Sequence, residues 1–136
     1  MLLQSMSTAQ PQVQGHILVI DDDRSARVLL ERVLVKAGHT VQLADTAEEG
    51  LAALQATPFD LLITDKNLPG IDGLELLRRA REKNPQLQAI LITGFPSDET
   101  KSHASELGVH SYVTKPFGVH DIVEVCAAAL RAGDKA

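Results

Sequence analysis

The sequence predicts a doubly wound α/β domain built on a five-stranded parallel sheet. Short apolar runs rich in Ile, Val and Leu alternate five times with segments of helical periodicity, the connections between them are short, and the runs end at polar groups. Parallel neighbours require helical crossovers that cover both faces of the sheet, so five strand-helix pairs imply this architecture.

The first strand, residues 16–20, is apolar and stops at Asp21, Asp22 and Asp23, as a buried parallel strand does at a polar edge. Ala26, Leu29, Leu30, Val33, Leu34 and Ala37 then recur at helical spacing, with Gly38 as the left-handed terminator. Residues 40–43 form the second strand. Thr46 followed by Glu49 makes a capping box for a helix whose core contacts are Leu51 and Leu54.

The third strand, residues 61–64, ends at Asp65, and Asp72 with Glu75 caps a third helix that turns Leu74, Leu76 and Leu77 inward, with Pro85 beyond its end. Residues 89–92 form the fourth strand, ending at Thr93. Residues 98–107 read as a polar fourth helix closed by Gly108, and residues 109–113 as the fifth strand. Val119, Ile122, Val123, Cys126, Ala129 and Leu130 stripe the last helix.

A chain of 136 residues has room for one domain. Residues 15–132 are expected to form it. Residues 1–14 lack periodicity and read as a mobile tail, or a remnant ahead of a second start at Met6, and residues 133–136 as a tail or the start of a linker. No stretch approaches the roughly 18 apolar residues of a membrane helix. A formal charge of −5 and a pI near 5.4 argue against direct contact with nucleic acid. Cys126 is the only cysteine and lies in an apolar stripe, so it is expected to be buried, in a protein of the reducing cytoplasm.

In a doubly wound sheet the reactive edge lies beyond the carboxyl ends of the strands. Asp21 and Asp22 after strand one, Asp65 after strand three, Thr93 after strand four and Lys115 just after strand five are therefore expected to converge in one pocket.

Four segments at this edge carry a resemblance. Val19-Ile20-Asp21-Asp22, the run Thr64-Asp65-Lys66-Asn67-Leu68-Pro69-Gly70-Ile71-Asp72-Gly73, Ile92-Thr93-Gly94, and Tyr112-Val113-Thr114-Lys115-Pro116-Phe117 resemble, in order and spacing, the motifs of response-regulator receiver domains. The match extends over residues 16–131. It implies a flavodoxin-like strand order of 2-1-3-4-5 and a phosphoacceptor in a two-component phosphorelay. Asp65 would take a phosphoryl group from the phosphohistidine of a cognate histidine kinase or histidine phosphotransfer protein. Such a domain is a signalling element, not an enzyme of turnover, and catalyses only its own phosphorylation and slow dephosphorylation.

Carboxylates crowded at one sheet edge raise one another's pKa values unless a cation is present, and Mg2+ takes hard oxygen ligands. Asp22 and Asp65 are expected to ligate it directly. The resemblance makes the Asn67 backbone carbonyl a third ligand and sets Asp21 behind a metal-bound water. Lys115 would pair with a phosphoryl oxygen, with a cis peptide bond at Pro116 aiming it inward. The Thr93 hydroxyl would donate to another phosphoryl oxygen, and its move would make room for the Tyr112 ring. The face made by the fourth helix, fifth strand and fifth helix is then the expected surface for a partner or a homodimer.

Other polar residues carry plainer expectations. Asp23 reads as a capping or solvated residue and Lys66 as solvent-facing, while His103, His110 and His120 lack metal-ligand spacing. Gly94 departs from the family's common alanine, and Phe95 stands where access of hydrolytic water is tuned. A haloacid-dehalogenase-type phosphatase using Asp21 and Asp23 as a D-x-D pair is the main rival; it lacks a late acidic pair, since Asp121 and Asp134 are isolated. A receiver-like module that signals through contacts alone is the second.

Overall fold

The structure, a computed structural model, describes residues 14–134. Five strands alternate with five helices: β1 His16–Ile20, α1 Arg24–Lys36, β2 Thr40–Ala44, α2 Ala47–Ala56, β3 Leu61–Asp65, α3 Gly73–Lys83, β4 Gln88–Thr93, α4 Asp98–Glu106, β5 Ser111–Thr114 and α5 Val119–Asp134. All four strand pairings are parallel, in the order β2-β1-β3-β4-β5. That is the predicted fold. The expected tail falls almost wholly outside the described residues, and α5 continues past the expected domain end at residue 132.

The strands alternate their side chains between two apolar layers, as a period of two requires. Ile17 and Val19 of β1 and Leu61 and Ile63 of β3 pack with Leu30 and Leu34 of α1 and Ile122, Cys126 and Leu130 of α5. Leu18, Ile20 and Leu62 face the opposite way, toward Ala47 and Ala53 of α2 and Leu76, Leu77 and Ala80 of α3. The Cys126 thiol is buried as expected, and burial pushes it up to about 12. No helix among the described residues is long and apolar enough to cross a membrane.

Side-chain caps start four of the helices. Asp23 Oδ1 accepts from Ser25 N, Thr46 Oγ1 from Glu49 N, Asp72 Oδ1 from Glu75 N and Ser97 Oγ from Thr100 N. Each satisfies an orphan amide of a first turn. Ser97 had no expected role.

Two local expectations are corrected. β5 starts at Ser111, because Gly108, at φ 73°, and Val109 are still engaged in closing α4, Val109 N donating to Ala104 O. Leu29, placed on the core stripe of α1, is 39% exposed; the stripe is carried by Ala26, Leu30 and Leu34. Leu51 and Leu54 pack against the core as expected, half-buried, and the fully buried residues of α2 are Ala47, Gly50 and Ala53. A Cβ at Gly50 would collide with the Ile20 side chain, so the α2 backbone sits too close to β1 for leucines to fit beneath it.

Candidate functional site

The parallel sheet brings the ends of β1, β3 and β4 side by side, which juxtaposes residues far apart in sequence. Asp21 follows β1, Asp65 ends β3 and Thr93 ends β4; all three are buried. Asp22 is exposed at the rim. One carboxylate oxygen from each of Asp21, Asp22 and Asp65 falls within 4.8 Å of the others.

Lys115, in the loop after β5, reaches into this group. Its Nζ is 2.7 Å from Asp65 Oδ2, to which it donates, and 2.9 Å from Asp21 Oδ2. The Asp21 approach is an ion pair whose angles miss hydrogen-bond geometry, so Asp21 Oδ2 is buried without a hydrogen-bond partner. Burial raises the Asp21 pKa and the charge of Asp65 adds to it, against the opposing Asp23 amide and Lys115 ammonium. Burial also pulls Lys115 down, but the hydrogen bond to Asp65 and the ion pair with Asp21 outweigh it and leave the ammonium more firmly protonated than usual. The Lys115–Pro116 peptide bond is cis.

Three carboxylates face one ammonium, and one buried carboxylate oxygen is orphaned. Buried charge left in that state is costly. An all-oxygen donor set with excess negative charge, open on the Asp22 side, suits a hard divalent cation such as Mg2+.

The carboxyl end of β3 is gripped from several sides. Lys66 N donates to Ile92 O at 2.8 Å, Gly73 N to Lys66 O at 2.8 Å, and Thr64 Oγ1 to Asp65 O at 3.0 Å. Asn67 N donates to Asp65 Oδ1 at 2.7 Å. A Cβ at Gly73 would overlap the Asp65 carbonyl, so only glycine lets α3 start this close. Lys66 departs from expectation: it is half-buried and lies 3.8 Å from Asp72 Oδ2, not directed into solvent.

Thr93 Oγ1 accepts from Phe95 N at 3.0 Å and donates to Asn67 Oδ1 at 3.0 Å. Tyr112 is half-buried, and its hydroxyl accepts from Ser97 N at 3.3 Å, at the entrance of α4. Phe95 is 78% exposed beside the site. Arg27, whose guanidinium donates to the Asp21 carbonyl, Thr64, Ser97 and the Asn67 side chain were not anticipated as partners of the site. Arg27 lies six residues past Asp21, in the second turn of α1, and no motif marks it.

Asp23, by contrast, spends its carboxylate on the α1 cap and stands outside the three-carboxylate group. The D-x-D phosphatase reading therefore loses its second acid.

Over residues 17–127 the sequence matches the response regulator receiver domain family. The chain belongs to that family. Among curated proteins, this receiver domain is 36% identical to the transcriptional regulatory protein YkoG of Bacillus subtilis over 87% of its own length and 52% of YkoG. It is 35% identical to the DNA-binding transcriptional regulator NtrC of Salmonella typhimurium, covering 86% of this chain and 25% of NtrC. It is 33% identical to the transcriptional regulatory protein FixJ of Bradyrhizobium diazoefficiens, covering 90% of this chain and 60% of FixJ. The chain thus spans less than two thirds of the length of these relatives.

Among solved structures, a CheY-like receiver domain from Methanospirillum hungatei superposes with a TM-score of 0.86 at 32% identity, covering 90% of this chain and 98% of that one. NtrX from Brucella abortus superposes at 0.84 with 31% identity, covering 90% of this chain and 28% of that one. Receiver domains of two-component response regulators are phosphoacceptors and generally bind Mg2+ at an acidic pocket. The expectation that this domain makes no direct contact with nucleic acid finds no support in relatives named as DNA-binding and transcriptional regulators.

Proposed function

We propose that residues 15–132 act as the phosphoacceptor module of a two-component phosphorelay. In this reading Asp65 takes its phosphoryl group from the phosphohistidine of a histidine kinase or histidine phosphotransfer protein in the cytoplasm. The observation that supports it best is the Lys115 ammonium set between the buried carboxylates of Asp65 and Asp21. No purely structural ion pair needs a third carboxylate, that of Asp22, at the same point.

An Asp65 oxygen attacks phosphorus in line; the new oxygen–phosphorus bond forms as the phosphorus–nitrogen bond breaks. The electron pair stays with the imidazole, which takes up a proton. Asp21, Asp22, Asp65 and the Asn67 carbonyl would hold Mg2+, which when bound supplies charge to neutralise the phosphoryl oxygens. Lys115 moves its donor from the carboxylate to a phosphoryl oxygen, and Thr93 turns its hydroxyl to another.

The same reading carries the signal outward. Thr93 gives up Asn67, Tyr112 follows, and the Ser97 amide that Tyr112 holds belongs to the N-cap of α4. Only Ala104 of α4 is buried, so this helix is weakly anchored and easily biased between arrangements. The α4-β5-α5 face is the proposed surface for a partner or for homodimerisation. The domain itself, at a charge of −5, is read as working through protein contacts.

Incubation with Mg2+ and acetyl phosphate, followed by peptide mass mapping, tests the acceptor. One phosphoryl mass on Asp65, absent from Asp65→Asn, is expected. A label on Asp21 would overturn the assignment.

A further inference from the structure

Asp22 is exposed, so the direction of its carboxylate must come from its backbone. Every main-chain group flanking it is held. Asp21 N donates to Ala44 O at 3.2 Å, Asp23 N to Asp21 Oδ1 at 2.9 Å, and Arg27 N to Asp23 O at 3.1 Å. The remaining group, Asp21 O, accepts from Arg27 Nη1 at 2.6 Å. The Asp21 carbonyl and the Asp22 amide belong to one rigid plane. Turning that carbonyl turns the Asp22 Cα with it.

We propose that Arg27 is a positioning residue for the acidic pair. Its guanidinium fixes the Asp21–Asp22 peptide so that the Asp22 carboxylate converges with those of Asp21 and Asp65. The proposal rests on the metal-binding reading above and adds a residue to it. A half-buried guanidinium suits the task because its planar fork is stiff once one N–H is engaged.

Groups that orient metal ligands typically cost tenfold or more in affinity when removed. The test is an Mg2+ titration of the whole chain followed by amide NMR in wild type, Arg27→Gln, Arg27→Lys and Arg24→Gln, with melting temperatures alongside. Arg24 is exposed on the same helix and carries the same charge, so Arg24→Gln controls for bulk electrostatics. Arg27→Gln is expected to weaken Mg2+ by about tenfold and, without any metal, to shift the Asp22 and Asp23 amides. Arg27→Lys should recover part of both, and Arg24→Gln should change neither. Unchanged affinity in both Arg27 variants overturns the proposal, as does an equal loss in Arg24→Gln. A wild-type chain that takes no Mg2+ overturns the functional reading itself, and this proposal with it. Should Arg27→Gln fail to fold, Arg27→Lys decides alone: shifted Asp22 and Asp23 amides with weaker Mg2+ support the proposal, and a wild-type response overturns it.

Discussion

The Thr93 hydroxyl donates its single proton to the Asn67 side-chain oxygen across a 3.0 Å hydrogen bond. That proton cannot serve a phosphoryl oxygen at the same time, so under the proposed function this bond must open when Asp65 is phosphorylated. Thr93→Ala is expected to accept a phosphoryl group on Asp65 yet fail to pass the event on. With beryllofluoride as a stable aspartyl-phosphate mimic, wild type should show amide shifts reaching Tyr112 and α4, and Thr93→Ala shifts confined to the acidic pocket. Equal spread in both proteins contradicts the relay.

Asp22 and Asp23 are neighbours with different work. Asp22→Ala should lose most Mg2+ affinity and phosphorylation while keeping its melting temperature. Asp23→Ala removes the cap on Ser25 N and should lower stability by about 1 kcal/mol with little change in Mg2+ binding. Paired Mg2+ and urea titrations check both; equal Mg2+ losses would show the ligand assignment to be wrong.

Asp21 should cost stability when no metal is bound. Its pKa is raised in the fold above the ordinary 3.8, chiefly by burial. A carboxyl raised this way favours the fold below its unfolded pKa, and that advantage is lost as pH rises through the folded value. Asp21→Asn is therefore expected to melt a few degrees higher than wild type in Mg2+-free buffer at pH 7, a gain of about 1 kcal/mol. The gain should shrink as the pH is lowered toward 4. A lower melting temperature for Asp21→Asn at pH 7 counts against this electrostatic account.

His39 works in the other direction. Burial lowers its pKa below the ordinary 6.5, and the ring accepts from Gly15 N through Nδ1 at 3.2 Å. The neutral ring is the folded form, so stability is intact above 6.5 and is lost as pH falls toward the depressed folded value, where the unfolded chain binds the extra proton. Urea midpoints measured from pH 7.5 to 5 should fall, and His39→Gln should flatten that fall. An unchanged slope in the variant would exclude His39 as its source.

Arg81 is the far anchor of α4. From α3 its guanidinium donates to Leu87 O, to Gly108 O at 3.1 Å and to Leu107 O, joining the start of β4 to the carboxyl end of α4. Charged donors to carbonyls contribute more than neutral ones, so Arg81→Met should destabilise the domain by about 2 kcal/mol. Hydrogen exchange should accelerate at amides 107–110 before it does in β3. Acceleration spread evenly over the domain would deny Arg81 this local role.

Much of the architecture was legible in the order of residues. Apolar runs ending at Asp21, Asp65 and Thr93 are strands ending at one edge, because parallel connectivity leaves no other arrangement for five strand-helix repeats. The convergence of Asp21, Asp65, Thr93 and Lys115 at that edge was legible for the same reason: each stands at a strand end or just past one. The margins were less so. β5 lost Val109 to the closing turn of α4, and full burial on α2 went to Ala47, Gly50 and Ala53, with Leu51 and Leu54 half-buried beside them, since close approach of backbones depends on what lies opposite.

What the sequence by itself determined was therefore the fold and the set of groups gathered at its reactive edge, because periodicity and strand ends are local properties of the chain. The tertiary structure alone decided how those groups are held: the Lys115 bridge between Asp65 and Asp21, the Thr93 hydrogen bond to Asn67, and the Arg27 grip on the Asp21 carbonyl. The two long-range pairings join residues whose separation in sequence encodes nothing about their distance, and the Arg27 contact depends on the angle at which α1 leaves the sheet. Hydrogen-bond geometry is set only when the layers close, and a one-dimensional pattern has no term for it.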